Sequence, residues 1–313
     1  MYDLVRYTAD KADEWNQFIA ASKNGTFLFH RNYMDYHRER FADHSLMVYR
    51  NGKLYALLPG NEKDATWVSH GGLTYGGLVM DGHCRAAEVR EVFVLLNDYL
   101  ARCNIRKVIY KHVPWIYASL PSEEDLFAVT NVCHAAIRSR DVASVVFLHQ
   151  PPFVSTLRKR GVKKALKNGL DVEESGDYDA YWRLLVDTLQ RRHHASPVHS
   201  LPEILMLHSR FPDHIRLFVV KKGQDMIGGT VVYICGKTVK TQYIATNEEG
   251  RMSGALDLLF LHLISKFAKE GMCYFDFGTS NLVGSDELND TLIFQKEGFG
   301  ARAVCYDTYE WTL

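Results

Sequence analysis

The sequence lacks the features that mark several specialised protein classes. Its six cysteines are widely spaced, with no C-x-x-C pair, which argues against a disulfide framework and favours reduced, mostly buried thiols. Lysine plus arginine and aspartate plus glutamate both number 37, so the formal net charge is zero and bulk charge predicts no DNA partner. The opening residues MYDLVRYTAD hold no apolar run, so we expect no signal peptide, no membrane anchor and a cytoplasmic protein.

Two stretches imitate nucleotide-binding motifs without completing them. Asp276-Phe277-Gly278 spells the kinase DFG, but the glycine-rich loop and the H-R-D catalytic loop are missing, so a kinase is excluded. We interpret the tripeptide as the carboxyl end of a strand, where ligands of open α/β sheets tend to bind, with Asp276 also able to cap the next turn. Gly236-Lys237-Thr238 resembles the end of a phosphate-binding loop, but Val231 stands where its first glycine should be. This second stretch therefore predicts a hairpin turn.

Hydrolase and metal motifs are also missing. The chain contains no G-x-S-x-G, which sets aside the serine hydrolases with a nucleophile elbow. His193, His194 and His199 lie close together without HExxH or Cys/His spacing, so we expect no metal site. A histidine of this segment could instead take a proton from an incoming amine, or cap a helix at the surface.

What the chain does contain is enough apolar material for a large core. It has 47% apolar and 24% charged residues, as soluble globular proteins do. A chain of this length buries about three quarters of the surface that its unfolded form exposes, so neither disulfides nor metals are needed for stability. It must fold as one large domain or as two ordinary ones.

A series of predicted elements occurs twice, about 170 residues apart, which favours two copies of one fold unit. The turn at Asn51-Gly52 predicts a hairpin over residues 46–59, and residues 217–232 repeat its pattern. Each half also begins with an amphipathic helix. Each hairpin is followed by a long apolar helix, a strand, a short helix and a closing strand. The predicted elements after the two hairpins are helix 86–103, RKVIYKHV, helix 126–134 and SVVFLHQ, then helix 254–270, CYFDFG, helix 286–296 and AVCYDTYEW.

This order predicts an α/β fold, of the mixed-sheet α+β kind, built as two tandem units. Pro151 and Pro152 remove two amide donors and hold the chain extended, so we place the seam there. The predicted units are residues 1–150 and residues 151–313.

Two positively charged features could attract phosphate. The helix from Gly254 is apolar nearly all round, with Ser253 as a possible cap and Arg251 just before it. A helix start of this kind can hold a pyrophosphate. The segment LRKRGVKKALK, residues 157–167, places six cations on one helix. A solvated face is the usual explanation of such a run, and a nucleotide-linked precursor or a tRNA acceptor stem is the alternative.

The C-terminal motif FQKEGFG contains two glycines, Gly298 and Gly300, which allow a tight turn before the last strand. Lys296 lies at the rim of this turn, and Gly298 and Gly300 let the backbone approach a partner closely. A lysine here offers a point charge to a phosphate or to a developing oxyanion, or is an ordinary surface residue.

Taken together, these segments resemble the FemAB-like acyltransferases of the GNAT superfamily, which are related to the Fem peptidoglycan-bridge aminoacyltransferases. The resemblance spans nearly the whole chain; the terminal F-x-K-x-x-F-G element is its most specific part, and the other segments are individually weak. The segments that carry it are TYGGLV, RKRGVKKALKNGLDVE, RRHHASPVHS, the helix from Gly254, and FDFG followed by FQKEGFGAR. Within it, RMSGAL is similar to the R-x-x-G-x-A loop that binds coenzyme A in GNAT enzymes, with Leu256 where a small residue is usual.

The resemblance implies two GNAT-like units beside a cleft, the first on the acceptor side and the second on the acyl-donor side. It implies that Lys296 is the cleft lysine and that Gly298 and Phe299 support it. It places Tyr75 and Gly76 on the acceptor side. The remaining substrate-binding assignments are Tyr243, Asp276, Gly278 and Ser280, and the cofactor-binding assignments are Arg251, Ser253 and Gly254.

The expected function is N-acyl transfer from an acyl-CoA-type co-substrate to an amine of a cell-envelope or polysaccharide precursor, nucleotide-linked or lipid-linked. His193 or His199 is the candidate base, with Lys296 as the charge anchor. No tightly bound cofactor is expected, and peripheral membrane contact stays open. Two alternatives remain: transfer from aminoacyl-tRNA, for which the chain lacks room for the long helical hairpin of Fem ligases, and a non-catalytic module that binds a glycan or a partner protein.

Overall fold

The chain divides into two compact units in the computed structural model, which describes residues 2–282, 285 and 287–313, without the side chain of His193. The first unit comprises Met1–Asp141 and Cys305–Leu313, and the second comprises Val142–Val304. The division lies before the two prolines at which the sequence placed the seam, and the end of the chain belongs to the first unit. Both units combine helices with mixed sheets, so the predicted α/β fold class is confirmed.

The first unit contains two sheets and the helices that cover them. Its strands are β1 (Tyr2–Arg6), β2 (Ala42–Asp43), β3 (Leu46–Arg50), β4 (Lys53–Leu58), β5 (Asn61–Lys63), β6 (Thr66–Val68), β7 (Val79–Met80), β8 (Lys107–Lys111) and the first part of β9 (Ala136–Phe147). Its helices are α1 (Ala12–Ala21), α2 (Arg31–Met34), α3 (Ala86–Arg102) and α4 (Glu124–Asn131), with short 3-10 turns at Ala9–Lys11, Phe27–Phe29, Asp35–His37 and Trp115–Tyr117.

The first hairpin forms because its turn residues accept positive φ. Asn51 and Gly52 have φ of 49° and 76°, the left-handed values that a tight hairpin turn requires. β3 and β4 pair across this turn within a sheet of order β1-β3-β4-β7. The predicted hairpin over residues 46–59 is confirmed.

The second unit contains one sheet and its covering helices. Its strands are β10 (Leu170–Ser175), β11 (Ile215–Lys222), β12 (Asp225–Cys235), β13 (Thr238–Thr246) and β14 (Tyr274–Thr279), and its helices are α5 (Thr156–Lys167), α6 (Tyr178–His193), α7 (Leu201–Arg210), α8 (Glu248–Ser253), α9 (Ala255–Lys269) and α10 (Asp290–Glu297). The last strand of the chain is β15 (Arg302–Thr312). The strands β10 to β14 lie side by side in sequence order, and all neighbours are antiparallel except β13 and β14, which are parallel.

The helix α9 forms the centre of the second core. Leu259, Leu263 and Phe267 recur on its buried side and are inaccessible to solvent, because they pack with Phe218 and Phe275 from the sheet. A helix that is apolar nearly all round is stable only when it is buried. The predicted core helix is confirmed, beginning at Ala255.

The closing strands differ from the prediction. Val145–Phe147 of β9 pair with Asp276–Tyr274 of β14 in the second unit, and Thr308–Thr312 of β15 pair with Lys111–Lys107 of β8 in the first. The sequence assigned SVVFLHQ to the first half and AVCYDTYEW to the second. An alternating apolar pattern shows that a segment is a strand, but it does not identify its partner.

Several elements were not predicted, among them β10 and α7. The helix α7 begins with a capping box in which Ser200 accepts from the Glu203 amide and the Glu203 carboxylate accepts from the Ser200 amide. This S-x-x-E signature is readable in the sequence, directly after the histidine-rich segment. Among the described residues, no helix is both long and apolar enough to cross a bilayer.

Candidate active site

The parallel strands β13 and β14 separate part of the way along their length. They pair only from Thr238 with Tyr274 to Lys240 with Asp276, although β13 continues to Thr246 and β14 to Thr279. We call the region between residues 241–246 and residues 277–279 the strand fork. Ligands of open α/β sheets tend to bind at the carboxyl ends of strands that part in this way.

A β-bulge lies at the start of the strand fork. In the pairing of β12 with β13, Val232 faces Thr241 and Val231 faces Tyr243, so Gln242 is the extra residue. A bulge turns the local backbone and re-aims a side chain and an amide. Gln242 and Ile244 on either side of Tyr243 are both partly exposed.

Tyr243 connects the bulge to a buried histidine. Its hydroxyl accepts a hydrogen bond from the His199 backbone amide at 3.1 Å and shares a second, short one with His199 Nδ1. Both side chains are less than 10% exposed, and burial raises the pKa of Tyr243 to about 12. The phenol therefore stays protonated at neutral pH and can pass a proton to or from the imidazole.

A surface groove lies beside this pair. It has a volume of about 330 Å³ and is lined by Trp182, Val186, Gln190 and other residues of α6, with Leu201 from α7. The Trp182 ring also packs edge-on against Tyr243, with centroids 5.1 Å apart. Trp182 therefore lines the groove and also contacts Tyr243 of the Tyr243–His199 pair.

Three charged residues are buried at the base of the strand fork. Asp276 is inaccessible to solvent, and Lys240 and Lys296 are 9% and 7% exposed. Burial lowers the pKa of Lys240, and the Asp276 carboxylate partly opposes this shift. Burial also lowers the pKa of Lys296 to about 8, again against the effect of Asp276. The two ammonium groups and the single carboxylate form a buried charged cluster.

Lys296 uses all three donors of its ammonium group on the protein. It donates to the Gly278 carbonyl at 2.9 Å, the Thr279 carbonyl at 2.8 Å and Ser280 Oγ at 2.8 Å. An ammonium has only three donors, so contact with a phosphate requires one of these bonds to break. Lys296, the predicted cleft lysine, thus holds the end of β14 in place through its hydrogen bonds.

The other residues predicted near β14 also hold that strand end in place. Asp276 accepts a hydrogen bond from the Gly278 amide at 2.7 Å, so the turn-capping role is confirmed. Gly278 has φ of 73°, and a Cβ there would meet nothing within 4 Å, which leaves this position open to a ligand. Phe299 is 4% exposed and packs on Phe277 and Phe260, so it supports the core.

The start of α9 differs from the expected pyrophosphate site. Ser253 does not cap α9; its hydroxyl donates instead to the Glu249 and Gly250 carbonyls within α8. The N-cap is Gly254, with φ of 86°, and a Cβ there would lie 2.5 Å from the Gly161 carbonyl oxygen. The expected cap is wrong because α5 packs against this helix start, a contact between segments distant in sequence. Arg251 is exposed and 3.7 Å from Glu248.

The predicted acceptor residues of the first unit lie in its interior. Tyr75 is 1% exposed, donates to Thr26 Oγ1 at 3.3 Å and packs on Tyr117. A Cβ at Gly76 would lie 1.8 Å from the Ser69 carbonyl oxygen. Both residues therefore have packing roles in this structure.

Two residues of the site carried no motif in the sequence, Lys240 and Gln242. A lysine inside the β-rich run TVKTQYIAT was nevertheless a usable signal of a functional charge. The candidate base His193 ends α6, and its side chain lies outside the described residues. Of the predicted residues in the second unit, the structure brings together His199 with Tyr243, and Lys296 with Asp276, Gly278 and Ser280.

Comparison with known proteins agrees with this geometry. Residues 156–287, which include the strand fork, match the family model described as acetyltransferase (GNAT) domain. No curated protein matches the sequence significantly.

Several solved structures share the fold at low sequence identity. The structure of FemX superposes with a TM-score of 0.69 at 11% identity, covering 99% of this chain and 97% of that chain. The C-terminal domain of a protein from Agrobacterium fabrum, described as a putative lysylphosphatidylglycerol synthetase, gives 0.63 at 10% identity, covering 96% and 91%. A tandem GNAT protein from the clavulanic acid biosynthesis pathway gives 0.53 at 12%, covering 100% and 98%. The resemblance to the FemAB-like branch of the GNAT superfamily is thus confirmed for the fold.

Proposed function

We propose that this protein is an N-acyltransferase that moves an acyl group from an acyl-CoA-type donor to an amine of a cell-envelope or polysaccharide precursor. The observation that carries the proposal is the strand fork. Inside the segment that matches the GNAT acetyltransferase model, two parallel strands separate beside a β-bulge. A bulge can direct a backbone amide at a thioester carbonyl and at the oxyanion that develops from it.

The reaction at this site is a direct transfer. The neutral amine nitrogen attacks the thioester carbonyl carbon, the carbon–sulfur bond then breaks, and the thiolate leaves. The nitrogen loses one proton to the His199–Tyr243 pair, and the pair returns one proton to the thiolate. Holding both substrates in the strand fork supplies the orientation that a bimolecular reaction in water lacks.

The acceptor enters from the groove on α6. The groove is open to solvent and shares Trp182 with the Tyr243–His199 pair. An envelope precursor is proposed because FemX and the lysylphosphatidylglycerol synthetase domain have this fold. Fold alone does not define a substrate, so the acceptor class depends on the test.

The test is transfer by the purified full chain. Acyl-CoAs of increasing chain length are offered with amino-sugar nucleotides and with lipid-linked amines, and both thiol release and the amide product are measured. We expect saturable thiol release that depends on the amine. Acyl-CoA should also raise the melting temperature, since a ligand that binds only the native state stabilises it. Absence of both effects with every acyl-CoA would overturn an acyl-CoA donor.

Aminoacyl-tRNA is the second candidate donor, favoured by the similarity to FemX over nearly the whole of both chains. Transfer that requires charged tRNA and falls steeply with salt would identify it. If neither donor supports transfer, but a glycan or a partner protein still raises the melting temperature, the chain is a binding module instead.

A further inference from the structure

The helix α5 presents one side to the second core and the other to solvent. Arg158, Gly161, Val162 and Ala165 are buried or partly buried, and Arg158 forms an ion pair with Asp257 of α9 at 2.6 Å. At about 100° per residue, the opposite side is dominated by five cations. They are Lys159, Arg160, Lys163, Lys164 and Lys167, all exposed.

These five cations lie together on one helix and are not neutralised. None of them forms an ion pair with an acidic side chain in residues 2–282, 285 and 287–313. Elsewhere on the unit, several cations are paired with carboxylates, as in Arg216–Glu174, Lys221–Glu173, Lys222–Glu249 and Lys266–Glu270. The charge on α5 is therefore a local excess on a chain with a net charge of zero.

Large apolar side chains surround the first turn of α5. Phe153, Leu157 and Phe294 are 76%, 53% and 66% exposed. Phe294 lies one helical turn before Gly298, on the same side of α10. The Gly298 carbonyl accepts the Ser155 amide at 2.9 Å, which brings this side of α10 to the start of α5. We call these three residues and the five cations the α5 surface.

We propose that the α5 surface binds the anionic face of a lipid bilayer, with the cations at the phosphates and the three apolar side chains in the interface. Neighbouring cations and exposed aromatic or aliphatic groups are the combination that holds a helix in the plane of a membrane surface. This inference goes beyond the proposed function and does not depend on the acyl donor.

The apolar residues favour a bilayer over RNA. A phosphate backbone is satisfied by the cations alone, and it gives no use to an aliphatic side chain such as Leu157 at the edge of the charged face. A bilayer interface satisfies both groups at once, because acyl chains take the apolar side chains while headgroups take the charges.

The experiment is flotation of the purified full chain with vesicles of phosphatidylcholine alone and of phosphatidylcholine with 30% phosphatidylglycerol, a mixture of about one anionic lipid in three. We expect binding only to the anionic vesicles, and weaker binding as salt is raised. Lys163→Gln/Lys164→Gln/Lys167→Gln should weaken it on the order of 100-fold, since each cation near the surface contributes about fivefold. Phe153→Ser/Phe294→Gln should remove the part of the binding that survives high salt.

The matched control is Lys53→Gln/Lys63→Gln/Lys269→Gln, which removes the same charge from exposed lysines elsewhere and should bind vesicles as the wild type does. All variants should keep the wild-type melting temperature, because exposed substitutions cost little stability. No binding to anionic vesicles, or equal loss in the control, would overturn the proposal. The proposal would also be overturned if the Lys163→Gln/Lys164→Gln/Lys167→Gln variant still bound vesicles but no longer bound tRNA or acyl-CoA.

Discussion

In the described residues, β6 and β8 of the first unit and β13 and β14 of the second are parallel pairs, and the two pairs differ in the course of the chain beyond the paired residues. In the first unit β6 and β8 pair from Thr66 with Lys107 to Val68 with Ile109. The chain after β6 then folds back: the Ser69 amide donates to the Ile109 carbonyl, Ser69 Oγ accepts from the Lys111 amide at 2.7 Å, and the Gly76 amide donates to the Lys111 carbonyl. In the second unit β13 and β14 simply separate.

The difference bears on which unit holds the proposed donor site. In the first unit the backbone groups at the strand ends are satisfied by the segment that follows β6. In the second unit the end of β14 is held instead by side chains, the Asp276 carboxylate and the Lys296 ammonium, and a bulge at Gln242 interrupts the pairing of β12 with β13. The donor site is therefore proposed in the second unit alone.

The largest effect on stability should come from adding one methyl group at Gly76, where the chain after β6 folds back on β8. Gly76→Ala places a Cβ 1.8 Å from the Ser69 carbonyl oxygen, so we expect a loss of about 4 kcal/mol in the free energy of unfolding. Gly278→Ala meets no atom within 4 Å but has φ of 73°, so it should cost only about 1–2 kcal/mol. Urea denaturation of both variants would measure this. Equal losses would mean that the two sites are equally packed.

The next largest effect concerns catalysis. Tyr243→Phe removes the hydroxyl shared with His199 and should lower kcat about 100-fold, with little change in KM for the donor. Tyr117→Phe removes a comparable hydroxyl from the first unit, where it lies 2.8 Å from Tyr306 Oη, and should leave kcat unchanged. If both variants lose activity equally, Tyr243 has no special part in proton transfer.

A smaller effect on stability should come from removing the Ser69 hydroxyl, which holds the chain after β6 against β8. Ser69→Ala leaves the Lys111 amide without the hydroxyl that now accepts from it. We expect a cost of about 2 kcal/mol, the penalty for an unsatisfied buried donor, with transfer unaffected at temperatures where the variant is folded. Calorimetric melting and a transfer assay would check both parts. A change in donor affinity would instead place donor binding in the first unit.

The smallest effect is a pH dependence of stability. Burial lowers the pKa of Lys296 to about 8 in the folded chain, from 10.5. Between these two pH values the unfolded chain binds more protons at this site, so the contribution of Lys296 to the free energy of unfolding rises with pH. Compared with Lys296→Met, the wild type should gain at most about 1.4 kcal/mol per pH unit above pH 8.

Lys111 offers the same test in the first unit, because burial lowers its pKa to about 8 as well. The stability of each Lys→Met variant relative to wild type should be measured by urea denaturation at pH 7, 8 and 9.5. A difference that stays constant across these pH values would contradict the lowered pKa.

Much of the fold could be predicted because the signals are local. The turn Asn51-Gly52 requires residues that accept positive φ, and the helix from Ala255 is too apolar to be stable outside a core. Asp276 as a turn cap also depends only on its near neighbours. Predictions that depend on distant segments did less well. Ser253 does not cap α9, against which α5 packs, and the Lys296 ammonium is bound to the end of β14 rather than free.

The sequence by itself determined the helices, the hairpins, the doubled order of elements and the charges on α5, because each depends on residues within a few positions of one another. Only the tertiary structure decided which strand completes which sheet, where β13 and β14 part, and that Lys296 donates to three protein oxygens. These depend on contacts between residues far apart in the chain, and no local pattern records them.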